Sequence, residues 1–288
     1  MTIKDCVRKY TSELKEVTHI PAKEVEILIM YLLEKNVIWL HLNYDKPYTK
    51  EKELQELIKK RASGYPLEYI IKRASFYGES FIVQDGVLIP RPETEILVEN
   101  AKEIIEKELE NSEKYKEKTL KIVEIGTGSG IISTMLALLI ENIEIVAVDI
   151  NPKALELAQK NADKFSVSNK IEFINSNLFT NIKTEDVFMV VSNPPYIKDS
   201  YKLPKNVEFE PKNALFGGLI GDELIKNIIK ETNKRDIPYL LCEMGYDQKL
   251  SLEEYFKEFN VEFHSFYKDY EKFDRGFTLK FKEKKENK

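Results

Sequence analysis

Ile122-Val123-Glu124-Ile125-Gly126-Thr127-Gly128-Ser129-Gly130-Ile131 is an apolar strand-like run that breaks on three glycines and resumes as an apolar stretch reaching Ile140. A glycine-rich turn between a strand and a helix lets a ligand come close to the backbone and leaves unpaired N–H groups at the helix start. The spacing is G-x-G-x-G and not the dinucleotide G-x-G-x-x-G. No Gly-Lys-Ser/Thr follows the glycines, so the lysine and the magnesium ligand of a P-loop nucleotide site are missing. Asp149 ends the next strand-like run, at about the distance where an acidic residue receives ribose hydroxyls, which is the favoured reading over a turn aspartate ahead of Asn151-Pro152. Asn177-Leu178, at the end of the third run, are either ordinary strand-end residues or a border for an adenine ring, Leu178 offering apolar contact and Asn177 hydrogen bonding.

Outward from this turn the pattern alternates. Strands are expected at Ile122–Ile125, Ile145–Val148, Ile171–Ile174, Val187–Val191 and Tyr239–Cys242, with helices at Ile131–Ile140 and Lys153–Phe165. Asn151-Pro152 reads as an N-cap followed by proline at the first helical position. Such alternation predicts an α/β fold with a parallel sheet covered on both faces. Val261–Tyr267 and Gly276–Phe281 are too close together for a helical crossover and are expected to pair antiparallel. A mostly parallel, seven-stranded sheet closed by an antiparallel C-terminal hairpin resembles the class I methyltransferase fold.

Upstream the reading changes. Val25, Leu28, Ile29, Leu32 and Leu33, and again Leu54, Leu57 and Ile58, have the spacing of one-sided helices, which predicts a small N-terminal α-helical domain over residues 1–73. Ser75 to Leu88 reads as a β-hairpin, with Phe76, Tyr77, Phe81, Ile82 and Val83 as β-formers and Gly78 and Asp85-Gly86 as turn signals; residues 74–90 form the expected linker. Pro92 suits the first turn of a helix carrying Ile96, Leu97, Ala101, Ile104 and Ile105, followed by a charged, exposed stretch from Glu106 to Lys118. The large domain is expected over residues 91–288, with Lys282–Lys288 as a solvated tail.

Composition narrows the functional classes. Among 288 residues, 44 basic and 49 acidic side chains give a formal charge of -5, which disfavours a broad electrostatic footprint on nucleic acid. The two cysteines, Cys6 and Cys242, are far apart, so neither a disulfide framework nor a metal site is suggested. The N-terminus lacks the apolar core of a signal peptide and no stretch is long enough to span a bilayer, so a cytoplasmic protein is expected, with no membrane partner.

Asn193-Pro194-Pro195-Tyr196 follows the strand Val187–Val191. A double proline holds a rigid backbone that offers only carbonyl acceptors. The Asn193 carboxamide oxygen and the Pro194 carbonyl can each accept one hydrogen of a planar NH2, and the Tyr196 ring gives a flat face for the group that carries it. A carboxamide or an exocyclic base amine fits. Methyl transfer from a sulfonium is an in-line displacement in which positioning supplies much of the barrier reduction. An amide nitrogen is a poor nucleophile; accepting both of its hydrogens aims it and stabilises the positive charge that develops. The methylated nitrogen becomes acidic and can lose its proton to water, so His19, His41 and His264, which are scattered, read as surface or packing residues.

The residues together resemble protein-glutamine N5-methyltransferases of the HemK/PrmC family, which modify peptide-chain release factors. Gly64-Tyr65-Pro66-Leu67-Glu68-Tyr69-Ile70 with Phe76-Tyr77-Gly78 resembles the domain junction, and Leu88-Ile89-Pro90-Arg91-Pro92-Glu93-Thr94-Glu95 the most characteristic signature. Glu124–Gly130 resembles the cofactor loop, Val191–Ile197 the catalytic motif, Phe209-Glu210-Pro211 with Ala214-Leu215 the substrate-side segment, and Asp269-Tyr270 with Arg275-Gly276 the final hairpin. The resemblance implies S-adenosylmethionine as donor, S-adenosylhomocysteine as product, no metal, and the glutamine of a release factor Gly-Gly-Gln loop as acceptor, held in part by the helical domain. It implies that Gly126, Thr127, Gly128, Ser129, Gly130, Asp149, Leu178 and Asn193 line the cofactor and that Asn193, Pro194, Pro195 and Tyr196 hold the glutamine, with Asn193, Pro194 and Tyr196 catalytic. The family usually has Asp where this chain has Asn177. Two other readings are carried: an N6-adenine methyltransferase acting on DNA or RNA, since the same clamp holds an extruded adenine, and a non-catalytic module that keeps the cofactor fold.

Overall fold

In the computed structural model residues 1–283 are described; the part of the expected tail from residue 284 on lies outside them. The chain divides into two units, Met1–Arg73 with Leu203–Phe209, and Ala74–Lys202 with Glu210–Lys288.

The first unit is helical: α1 (Ile3–Thr11), α2 (Pro21–Leu33), α3 (Val37–Leu42), α4 (Glu51–Ala62) and α5 (Leu67–Ile71). Three of these helices have a local start signal. Thr2 and Asp5 form a reciprocal capping box on α1, Pro21 opens α2, and the Asn36 side chain accepts from the Trp39 N–H at the start of α3. The apolar faces Ile3/Cys6/Tyr10, Val25/Leu28/Ile29 and Leu54/Ile58 are fully buried against one another. Arg61 crosses this interior to Glu24 at 2.6 Å and also donates to the Val17 carbonyl, so the buried charge is paired and hydrogen-bonded. The segment Leu203–Phe209 groups with these helices through the Phe209 ring, which meets Tyr65 edge-on at 5.3 Å. Gly64 sits at φ +99°, where a Cβ would come within 3.3 Å of the Lys205 side chain.

The second unit opens with the hairpin β1 (Arg73–Phe76) and β2 (Glu79–Ile82). Phe76 and Phe81 are fully buried in the core beside the large sheet, so the hairpin packs as part of this unit. Helix α6 (Thr94–Asn111) starts two residues past Pro92, because Arg91 and Pro92 spend their carbonyls on a turn that closes onto Thr94 and Glu95. It also runs through Glu106–Asn111, part of the stretch expected to be merely charged and exposed. Then follow β3 (Leu120–Ile125), α7 (Ile131–Leu139), β4 (Ile143–Asp149), α8 (Pro152–Lys164), β5 (Ile171–Asn175), β6 (Val187–Ser192), the short parallel pair β7 (Ile197–Lys198) and β8 (Phe216–Gly218), α9 (Glu223–Lys234), β9 (Tyr239–Glu243), α10 (Lys249–Phe256), β10 (Val261–Lys268) and β11 (Asp274–Phe281).

The large sheet has seven strands in the order β10-β11-β9-β6-β3-β4-β5. Five are parallel; β11 runs antiparallel to both β9 and β10, as the short connection between the last two strands requires. Alternate side chains serve opposite faces. Ile122 and Met189 pack with α6 and α7, while their neighbours Val123 and Val190 pack with α9 and α10. On α9, Ile225, Ile228, Ile229 and Thr232 are buried at helical spacing, each aliphatic contributing about 1.5–3 kcal/mol by leaving water. This is the class I methyltransferase architecture with an appended helical unit, and it brings the carboxyl ends of β3, β4, β5 and β6 together, where ligands bind in open α/β sheets. Among the described residues no helix is long and apolar enough to cross a membrane.

Candidate active site

The glycine turn connects β3 to α7 with Gly126, Gly128 and Gly130 at φ +74°, +55° and +77°. The N–H groups of Gly126 and Thr127 both reach the Val148 carbonyl at 2.9 Å, which folds the turn over the end of β4. A cavity of about 190 Å³ opens there, walled by Gly126, Gly128, Asp149, Asn177, Leu178 and Asn193. An adjoining space of about 30 Å³ adds Thr127 and Ser129, again with Asn193 on its wall. The expected donor residues thus converge, with one exception. Gly130 walls neither space; a Cβ on it would lie 2.8 Å from the Ala158 Cβ of α8, so its lack of a side chain serves helix packing.

Two carboxylates stand beneath the turn. Asp149 accepts from the Gly128 N–H at 2.9 Å and the Asn151 N–H at 2.8 Å, and burial raises its pKa against those hydrogen bonds. Glu124 accepts from the Thr127 hydroxyl at 2.8 Å and the Ser133 N–H at 3.2 Å through Oε2, while its Oε1 is buried with no hydrogen-bond partner. Burial pushes the Glu124 carboxyl up to about 7, against the pull of Ser133 and Thr127. Leu178 holds a left-handed backbone at φ +51°, a conformation that costs a non-glycine residue energy and clusters at functional sites.

Asn193 follows β6. Its Nδ2 donates to the Thr94 hydroxyl at 2.9 Å, which donates to Glu243 Oε2 at 2.7 Å; the Tyr196 hydroxyl donates to Glu243 Oε1 at 3.0 Å. Arg275 reaches the Tyr196 oxygen at 3.4 Å and is itself clamped by Asp269 at 2.9 Å. The Tyr196 carbonyl accepts from Gln248 at 2.9 Å. Burial pushes the Glu243 carboxyl up to about 7, against the hydrogen bonds from Thr94 and Tyr196 and the charge of Arg275. Pro195 walls the cavity under the glycine turn, whereas Pro194 walls none of those described and Tyr196 faces a separate space of about 250 Å³ with Tyr246 and Arg275.

The start of the signature at residues 88–95 is anchored by Glu210, next to Pro211 on the cavity wall. Buried Glu210 accepts from the Ile89 N–H at 3.0 Å and pairs with Arg91. Thr94 lies inside that signature, which the sequence singled out as part of the site, whereas Glu243, at the end of β9, is a residue that sequence reasoning did not assign to it. The signal for Glu243 is a glutamate closing an otherwise apolar strand. The histidines stand apart: His41 stacks on Tyr44, and His264 lies 3.8 Å from Glu253.

A family model of the methyltransferase small domain matches residues 97–208, and one of the PrmC N-terminal domain matches residues 5–71. The chain is 41% identical over 217 residues to the release factor glutamine methyltransferase of Dictyoglomus turgidum, covering 74% of this chain and 73% of that one. It is 35% identical over 270 residues to the protein of the same name from Buchnera aphidicola subsp. Schizaphis graminum, covering 91% and 94%. With that from Aquifex aeolicus it shares 33% over 283 residues, covering 95% and 93%. Among solved structures, the hMettl16 catalytic domain in complex with MAT2A 3'UTR hairpin 6 superposes with a TM-score of 0.55 at 18% identity, covering 72% of this chain and 77% of that one. The N-terminal domain of human METTL16 in complex with SAH gives 0.53 at 19%, with the same coverage. At that identity the likeness concerns the fold alone.

Proposed function

The chain belongs to the family of release factor glutamine methyltransferases, and on that premise we propose that it methylates the side-chain nitrogen of the glutamine in the Gly-Gly-Gln motif of peptide-chain release factors, with S-adenosylmethionine as donor. The observation that carries this reading is the position of Asn193, which walls the space under the glycine turn and is bonded on its other side to Thr94. On this reading donor cradle and acceptor clamp share one residue.

The residues present fit the donor. At Gly126 and Gly128 a Cβ would meet nothing within 4 Å, which leaves room for a ligand against the backbone. Asp149 keeps unused lone pairs for ribose hydroxyls, Leu178 supplies an apolar wall for the base, and the orphaned Oε1 of Glu124 suits a positive group. When bound, S-adenosylmethionine supplies a methyl group on a sulfonium. Asn193 Oδ1 and the Pro194 carbonyl accept the two hydrogens of the glutamine NH2 and hold its nitrogen in line. The Tyr196 ring, tethered through its hydroxyl to Glu243, braces the carboxamide plane. Asn177 retains an acceptor oxygen where the family usually carries a carboxylate. We assign the helices of residues 1–73 to holding the release factor, and residues 91–288 to the transfer.

The test is incorporation of labelled methyl into a release factor, into the same factor with its Gly-Gly-Gln glutamine replaced, and into duplex DNA. Label confined to the unaltered factor is expected. Label in the duplex, or in the factor lacking that glutamine, overturns the assignment.

A further inference from the structure

The hydrogen bonds behind Asn193 run in one direction only. A threonine hydroxyl has a single proton, and Thr94 gives it to Glu243 Oε2 at 2.7 Å. What Thr94 then offers Asn193 is a lone pair, so the carboxamide must present its NH2, as it does at 2.9 Å. Glu243 cannot be released from this arrangement by solvent: Thr94 and Glu243 are both buried, and the second carboxylate oxygen is taken by Tyr196 at 3.0 Å. Were the Asn193 amide turned over, its NH2 would face the NH2 of the acceptor and its oxygen would face a lone pair. Neither pair of groups can bond.

From this geometry, and resting on the methyl-transfer reading above, we propose that Glu243 and Thr94 are positioning residues that set the polarity of the acceptor clamp, locking Asn193 with Oδ1 toward the nitrogen to be methylated. Both are buried, and they act through their bonds to Asn193 and Tyr196. Their contribution is to make the asparagine an acceptor and never a donor at that point, which selects an NH2 group over a carbonyl of the same shape.

The arrangement carries a pH dependence with a defined sign. An ionised Glu243 accepts on both oxygens. A protonated one places a hydrogen against either Thr94 or Tyr196; in the first case the threonine proton turns toward Asn193 and favours the inverted amide. The groups facing Glu243 are Thr94 and Glu93 from the start of α6, Tyr196 from the turn, Arg275 from β11, Tyr267 from β10 and Cys242 from its own strand. Burial places its titration near 7, so turnover rises as pH is raised through neutrality.

The experiment uses the full chain, a release factor as acceptor and saturating donor, which takes donor affinity out of the rate. Thr94→Val keeps the shape and loses the lone pair; kcat falls on the order of tenfold or more while the calorimetric affinity for S-adenosylhomocysteine stays within about twofold. Thr94→Ser restores the hydroxyl and brings kcat back to within a few-fold of the parent. Glu243→Gln cannot titrate and flattens the pH step in kcat. A readout free of catalysis accompanies these: with ¹⁵N-asparagine label, the Asn193 side-chain NH2 resonances follow a titration near neutrality in the parent chain and do not in Thr94→Val. A Thr94→Val enzyme that turns over like the parent, or Asn193 resonances that ignore pH, would falsify the relay. If the parent leaves every release factor unmodified, the functional reading fails instead, and the resonance titration still decides for or against the relay.

Discussion

Two buried glutamates stand one on each side of the site, and they are wired differently. Glu124, under the donor turn, spends one oxygen on Thr127 and Ser133 and leaves the other with no partner. Glu243, behind the acceptor turn, has both oxygens taken, by Thr94 and Tyr196. Burial raises both to about 7, with the Asp149 charge adding to the rise at Glu124 and the Arg275 charge opposing it at Glu243. A satisfied carboxylate holds its neighbours in one orientation. An unsatisfied one facing a cavity is completed by what enters that cavity. On the proposed reading, the donor half of the site is thus built with an open valence and the acceptor half with a closed one.

The contrast is broken or kept first at Asn193, the residue both halves share. Asn193→Ala removes the acceptor oxygen at the nitrogen under attack, a loss expected to lower turnover on the order of 10²–10³-fold. Because the donor cradle keeps Gly126, Gly128 and Asp149, S-adenosylhomocysteine affinity by calorimetry should move only a few-fold. Near-normal turnover would remove the clamp from the mechanism. A collapse of donor affinity would show that the halves are not separable.

The next effect is in stability. Glu124 has a folded-state pKa near 7 against an ordinary 4.5, so the fold binds its proton more tightly than the unfolded chain does. The sign follows: the contribution is fully present below pH 4.5 and is lost as pH rises through 7, on the order of 3 kcal/mol for this one group. Thermal denaturation of the ligand-free protein between pH 4.5 and 8 should show a falling midpoint, and Glu124→Gln should shrink the fall. An identical fall in that variant would mean that the donor-side carboxylate is already satisfied. A third effect concerns Asp149, whose charged oxygens face the cavity. Asp149→Ala should weaken S-adenosylhomocysteine by about 10–100-fold, the usual worth of a hydrogen bond to a charged group, with little change in kcat at saturating donor. An unchanged dissociation constant would show the ribose assignment to be wrong.

These experiments separate what was legible in the chain from what was not. The glycine turn, Asp149 and Leu178 were legible because each sits at the end of an apolar run, and parallel strands deliver their carboxyl ends to one edge. The double-proline turn was legible from its missing N–H groups. Glu243 and its bond to Thr94 were not, because the two lie 149 residues apart and meet only when β9 takes its place beside β6. Helices α9 and α10 went unassigned although Ile225, Ile228 and Ile229 carry helical spacing, since attention to strand runs passes over a short amphipathic stretch between them. The grouping of Leu203–Phe209 with the helical unit was also hidden. Phe209 meets Tyr65 edge-on and Gly64 lies close to Lys205, and neither feature has a periodicity to read.

The smallest effect divides the glycine turn itself. Gly128 and Gly130 look equivalent in sequence, yet a Cβ on Gly128 would meet nothing within 4 Å, whereas one on Gly130 would press on Ala158 at 2.8 Å. Both have positive φ, so alanine at either position carries a backbone cost of about 1–2 kcal/mol. Beyond that shared cost, Gly130→Ala must push α8 away from the turn, adding about 1–3 kcal/mol of overpacking and lowering the melting temperature by more than its neighbour does. Gly128→Ala projects its methyl beside the cavity wall, so its excess effect should fall on S-adenosylhomocysteine affinity. Calorimetry and thermal denaturation of the two variants side by side read this directly. Equal losses of affinity with equal losses of stability would return Gly130 to the donor-contacting set and leave the turn with a single role.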